Sequence, residues 1–232
     1  MEDDIKNYRR AVREIKIKLN WSLKEKCPEC KKMVVEDAFE VIKAYGGKKW
    51  ICPNCLIEKG DPNAPPPVEK DGIVHCFSSR DHQMPEFRSL MKDHQKYFLE
   101  GFLKCEIYII TCEEGYPQDD YFFDDLSSAV LRLHTSLELF LPFKIKERLK
   151  SLNTNDTVIS ILLNSMKPNV REYLSMIKNL DINLKNKHSK GLFECQNIRN
   201  KIVHGGYDAS LNDFVLVFKV VGTVIAELEN CG

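Results

Sequence analysis

Two Cys-Pro-x-Cys pairs, Cys27-Pro28-Glu29-Cys30 and Cys52-Pro53-Asn54-Cys55, constrain this chain more than any other feature. Each pair turns its backbone so that two thiolates face one point, and two such knuckles fill a tetrahedral shell. Proline suits these turns because its fixed φ lowers the entropy lost when the loop closes on a metal. The segment 27–60 is too short to bury a core of its own, so metal binding would supply its folding energy. Structural zinc, one ion per chain, is the expectation; a rubredoxin-like iron site and a redox dithiol are the alternatives. Four cysteines close the coordination shell, which argues against catalytic metal. Met33-Val34-Val35 and Trp50-Ile51 are candidate strands of a zinc ribbon. Lysines 24, 26, 31, 32, 48 and 49 permit nucleic-acid gripping, and a platform for protein contacts is the plainer reading.

Nine cysteines is an odd number, and four of them sit in metal-type pairs, which points to a reducing compartment rather than a disulfide scaffold. The opening MEDDIKNYRR has no apolar core of the kind a signal peptide needs. The longest apolar stretch, Phe214 to Ala226, is interrupted by Lys219 and falls short of the roughly 20 residues a bilayer requires. A soluble, cytoplasmic protein with no membrane partner is expected. Lys plus Arg and Asp plus Glu both number 34, so any nucleic-acid contact must come from a local patch. The 43% apolar content is enough for a buried core.

Helical periodicity organises the rest. In segment 1–26, Ile5, Tyr8, Val12, Ile15 and Leu19 recur at steps of three and four and predict a helix from Glu2 to about Lys26. Its basic residues, Lys6 to Lys18, read as a solvated face, with an RNA-contacting role as the alternative. Asp61-Pro62-Asn63-Ala64-Pro65-Pro66-Pro67 predicts a semi-rigid linker over 61–70 and a domain boundary. Residues 71–232 then read as one helical domain. A long helix carries Phe87 to Ile109 on its stripe, and a second runs from about Asp120 to Lys150, bent or divided at Pro142. Shorter helices follow over 157–166 and 169–180. The last two span about 191–204, stopped by Gly205-Gly206, and about 211–229, capped by Ser210 or Asp208. The fold class is mainly α: a helical bundle preceded by a small zinc-ribbon module.

Several cysteines and histidines have plain readings. Cys105, Cys112 and Cys195 fall in helices as small core residues, and His94 and His134 lie on apolar stripes. His75, Cys76 and His82 make an incomplete, loop-borne cluster; ordinary surface and packing roles are expected, with a second metal site as the alternative.

One stretch departs from packing logic: Ile198-Arg199-Asn200-Lys201-Ile202-Val203-His204-Gly205-Gly206. Ile198, Ile202 and Val203 read as anchors. Asn200 and His204 are at i,i+4 and share a face. Arg199 lies about 140° round the helix from His204, so the two converge only if the helix end unwinds or a second copy contributes. An Arg bridging helices and a His at a favourable helix C-terminus is the packing alternative.

Arg199-Asn200-x-x-x-His204, near the end of an all-α segment and followed by one last apolar helix, resembles the R-x4–6-H motif of the HEPN superfamily. The long earlier helices, including the one with Ala129 to Glu138, are similar in character to that family's first core pair, and the likeness covers about Met84 to the C-terminus. The resemblance implies a metal-independent endoribonuclease, met in toxin–antitoxin, antiphage and RNA-processing settings. It implies a homodimer through the helical domain, with two motifs facing one another over an RNA substrate, and an antitoxin or defence-system partner. The implied catalytic residues are Arg199 on the phosphate, His204 as proton carrier and Asn200 as an orienting group. The implied alternative is a non-catalytic HEPN and zinc-ribbon module that binds RNA, nucleotide or a protein.

Overall fold

The computed structural model describes residues 2–27, 30–45, 68–70, 73–75, 91–114, 126–166, 169–180, 182 and 188–230. They form two compact units, 1–19 with 93–232, and 20–92.

The smaller unit carries the sheet. Strands β1 (Ser22–Lys26) and β2 (Met33–Asp37) pair antiparallel, with Ser22 opposite Asp37 and Lys26 opposite Met33. Helix α2 (Ala38–Tyr45) follows, and the Asp37 carboxylate accepts the Phe39 N–H at 2.8 Å, capping its first turn. Strands β3 (Val68–Lys70) and β4 (Ile73–His75) form a second antiparallel pair, and β4 adds parallel to β2, giving the order β1-β2-β4-β3. Trp21 stacks on Phe39 with ring centroids 6.2 Å apart, and Leu23, Ala38 and Ile42 complete the small core.

The sequence-based boundaries shift here. The first helix ends at Leu19 rather than near Lys26, because Asn20 adopts φ 45° and breaks it. Beyond that point Trp21 and Leu23 are buried while Ser22 and Lys24 are exposed, the period-two alternation of a strand. Residues 68–70, read as linker, and 73–75, read as the start of the helical domain, belong to the sheet. The proline run 61–67 and residues 46–60 lie outside the described residues.

Among the described residues the regular elements of the larger unit are all helices: α1 (Glu2–Leu19), α3 (Asp93–Glu114), α4 (Leu126–Ser151), α5 (Asp156–Ser165), α6 (Val170–Asn179), α7 (His188–Gly205) and α8 (Leu211–Glu229). Helix α1 is therefore part of this bundle and not a separate segment. It packs on α8, where a Cβ added at Gly222 would come within 2.6 Å of Ile15, so only glycine lets the two helices approach this closely. Tyr8 is fully buried between Phe214 of α8, at 5.9 Å, and Glu106 of α3, whose carboxylate accepts its hydroxyl at 2.6 Å. Part of α1's basic face is matched by acids, through Lys6–Glu2, Arg9–Glu113 and Lys18–Glu14 pairs. Such exposed pairs contribute little stability.

Pro142 does not divide α4. Its missing donor removes one helical bond, and buried Phe140, Leu141 and Ile145 on either side hold the helix to the core. The β-rich run Phe214 to Phe218 is helical, as its spacing requires. Phe214, Phe218, Val221, Ile225 and Leu228 are all buried.

Tyr8 gives a direct test of this core. Burial, with the neighbouring Cys105 and Glu106, pushes its phenol far above the usual range, so it stays a donor throughout accessible pH. Tyr8→Phe leaves the Glu106 carboxylate short of that donor and should cost about 1–3 kcal/mol in urea unfolding. An unchanged midpoint would contradict the role given to this bond.

Candidate functional site

Helix α7 divides its residues cleanly between core and solvent. Leu192, Cys195 and Ile198 are buried and Ile202 is half-buried, while Phe193, Asn197, Asn200 and His204 are exposed at helical spacing. Val203, expected as an anchor, is 47% exposed, because it lies one position off the inward stripe. Arg199 is half-buried and donates from Nη1 to Asn200 Oδ1 at 3.3 Å. Gln196, one turn earlier, donates to the same oxygen at 3.1 Å. Asn200 therefore has its carbonyl oxygen held by two donors, and its amide nitrogen remains to donate.

The helix stays regular through Gly205, which closes the route by unwinding. Within one chain Arg199 and His204 leave the helix about 140° apart. Reversal comes after the motif: Gly206 takes φ 59°, the left-handed conformation in which a side chain would be strained. The turn is pinned from two directions. The Ser127 hydroxyl on α4 donates to the Tyr207 carbonyl at 3.4 Å and accepts the Ala209 N–H at 2.9 Å. At the start of α8, Asp213 accepts from the Tyr207 hydroxyl at 2.8 Å, the Ser210 hydroxyl at 2.6 Å and the Ser210 N–H at 2.9 Å. Ser210 in turn accepts the Asp213 N–H, completing a capping box. Of the two expected caps, Ser210 is the one used.

Beside the motif a cleft of about 700 Å³ opens between α6 and α7, with Arg171, Phe193, Gln196, Asn197 and Asn200 among its walls. None of the first four was singled out from the sequence. Gln196 carried a weak signal, since it sits four residues before Asn200. Arg171 and Ser127 carried none, because only tertiary packing brings them here.

In the smaller unit, Cys27 is buried and Cys30 exposed on the turn between β1 and β2. The turn is tight: the Cys27 N–H donates to the Lys32 carbonyl at 2.8 Å, the Lys31 N–H donates to the Cys27 carbonyl at 3.0 Å, and Lys31 takes φ 64°. Two thiols on such a turn fit half of a four-thiolate shell. Cys52 and Cys55 lie outside the described residues, as do Cys76 and His82 of the incomplete cluster. Among the described residues no three metal-ligating side chains converge.

Among the described residues Cys105 and Cys195 are core residues as expected, whereas Cys112 is only half-buried. Burial pushes the Cys195 thiol up to about 12 and the Cys105 thiol higher still, so neither is a nucleophile near neutral pH. His94 lies against Phe140 and faces Glu229 at 3.4 Å, and His134 faces Glu138 at 3.3 Å. Among the described residues no helix is long and apolar enough to cross a membrane. No protein-family model, curated protein or solved structure matches the chain.

The pinned turn makes a pH-dependent prediction. Burial raises the Asp213 carboxyl, but hydrogen bonds from Ser210 and Tyr207 and the charge of Lys201 outweigh it and hold the group below its usual value of 3.8. A depressed carboxyl contributes stability that is full above its unfolded pKa and is lost as pH falls through the folded one. Asp213→Asn should thus be less stable than wild type at pH 7, with the gap closing below about pH 4. Ser210→Ala should cost about 0.5–2 kcal/mol at neutral pH. A gap for Asp213→Asn that is constant from pH 7 to pH 2 would contradict this reading of the cap.

Proposed function

We propose that this chain is a metal-independent endoribonuclease of HEPN type, working as a homodimer. One observation carries the reading: a half-buried Arg199 beside exposed Asn200 and His204, on a helix end followed by a pinned turn. Packing explains neither the exposure of Asn200 and His204 nor the amide held beside the Arg199 guanidinium.

The residue types suit RNA. Its 2′-OH attacks the adjacent phosphorus, a P–O bond forms, and the bond to the 5′-oxygen breaks. A proton leaves the 2′-OH and one is delivered to the departing 5′-oxygen. His204 carries the proton. Arg199 grips two phosphate oxygens and stabilises the charge that builds in the transition state. Asn200 orients the substrate with its amide nitrogen. Because one regular helix aims Arg199 and His204 apart, each site takes Arg199 from one protomer and His204 from the other across a two-fold axis. The reaction suits a toxin or antiphage-defence setting in the cytoplasm, with an antitoxin or defence-system partner to restrain it.

Zinc belongs to the smaller unit, held by Cys27, Cys30, Cys52 and Cys55, where its binding energy stabilises a segment with little core. Elemental analysis of freshly purified protein should find about one zinc per chain, and none in Cys27→Ser or Cys52→Ser. Wild type lacking metal, or holding iron, would overturn that assignment.

Purified protein should cut RNA in EDTA and leave 2′,3′-cyclic phosphate and 5′-hydroxyl ends. DNA and 2′-O-methyl RNA should resist, since the nucleophile is the substrate's own hydroxyl. His204→Ala should slow cleavage about 10²–10⁴-fold. Arg199→Ala should lose a comparable amount, and Arg199→Lys should recover part of it, because a point charge lacks the planar fork. Cleavage that needs magnesium, or that survives both alanine substitutions, would remove the mechanism. Binding of RNA or nucleotide without cleavage would favour the non-catalytic module.

A further inference from the structure

We propose that the cleft between α6 and α7 is a nucleobase subsite, holding the nucleotide next to the scissile phosphate; this rests on the ribonuclease reading of the Arg199–His204 element. Its volume of about 700 Å³ lies within the range that takes small organic ligands. Its chemistry is what a base presents in reverse. A base has a flat apolar face and an edge of alternating donors and acceptors. The cleft offers a phenylalanine and, along the same helix, three amides.

Phe193 is 56% exposed, an unusual position for a phenylalanine in a helix whose inward stripe is otherwise filled. Single-stranded bases stack on such a ring. One turn further, the Gln196 and Asn200 amides are joined by the bond from Gln196 Nε2 to Asn200 Oδ1. That bond leaves Gln196 Oε1 to accept and Asn200 Nδ2 to donate, the two kinds of group that read a base edge. Asn197 adds a third amide on the same wall. Arg171 forms no ion pair among the described residues and borders the cleft from α6, where it can meet a phosphate. An apolar peptide would leave these amides and the guanidinium unpaired; a nucleotide satisfies them.

Asn200 links the two sites. It is a wall of the cleft and also the hydrogen-bond partner of Arg199. A phosphate held by Arg199 therefore has its neighbouring base within reach of Phe193, and the cleft sets which nucleotide stands at the cut.

The test uses full-length His204→Ala, so that RNA is not consumed, and fluorescence anisotropy in EDTA with four short single-stranded RNAs differing in base. Adding Phe193→Ala should weaken binding about 5- to 100-fold, and Phe193→Trp should restore it. Gln196→Ala or Asn197→Ala should flatten the preference among the four RNAs, and in the active enzyme should broaden the cut sites. Free 5′-mononucleotides should bind far more weakly than RNA. Affinity unchanged by Phe193→Ala, no measurable RNA binding, or mononucleotides binding as tightly as RNA would overturn the subsite. Wild type that cuts RNA while Phe193→Ala changes nothing removes the subsite and leaves the ribonuclease. Phe193-dependent RNA binding in a wild type that cuts nothing keeps the subsite and removes the ribonuclease.

Discussion

Helix α8 is the axis on which the helical unit depends. Ten of its nineteen residues are buried, from Phe214 at its first turn to Leu228 at its last, and α1, α4 and α7 lie against it. A helix this apolar persists only where other helices cover it. Gly222 lets α1 come close, Phe214 and Phe218 stack at 5.6 Å, and Phe98 and Phe102 of α3 meet Phe218. The same helix begins with the Ser210–Asp213 capping box, whose carboxylate also grips Tyr207 just after the motif. Core packing and the placing of His204 are thus one structural event. Loosening the start of α8 would release the end of α7.

Such an arrangement is well suited to chemistry that uses only side chains. In the proposed ribonuclease no metal organises the substrate, so its catalytic groups must already be in place when RNA arrives. Here the mobile choices are few. Arg199 and Asn200 sit on a regular helix, Asn200 is held by two donors, and the turn that follows is tied to α4 and α8. Under the proposed reading, the cleft on the α6 side extends the same surface from the reacting phosphate to its neighbouring base.

Helical elements were legible because their stripes are long. The α8 run Phe214 to Phe218 looks like a strand over five residues and a helix over nineteen, and length decided correctly. Ser210 as a cap and Gly206 as the reversal were readable from local rules, since each acts within a few residues. Limits were missed where a short pattern competed with a long one. Trp21-Ser22-Leu23-Lys24 alternates, yet it follows a helical stripe that seemed to continue. The sheet joining 33–37 to 73–75 across the prolines, and the burial of α1 within the bundle, depend on contacts between distant residues. Val203 shows the same limit at smaller scale: apolar character made it look like an anchor, and its phase on the helix turns it outward. The Arg199–His204 element was visible as a motif, whereas the cleft was not, because only tertiary packing brings Arg171 and Phe193 to the walls of one cleft.

Mixing two inactive proteins tests the composite site most directly. Arg199→Ala and His204→Ala, each silent alone, should regain activity when equal amounts are unfolded together, refolded with zinc and assayed on RNA in EDTA. Random pairing makes about half of the dimers mixed, each with one site that has both Arg199 and His204, so about a quarter of wild-type activity should return. A mixture no more active than either variant alone, in a sample shown to contain mixed dimers, would contradict a site built from two chains.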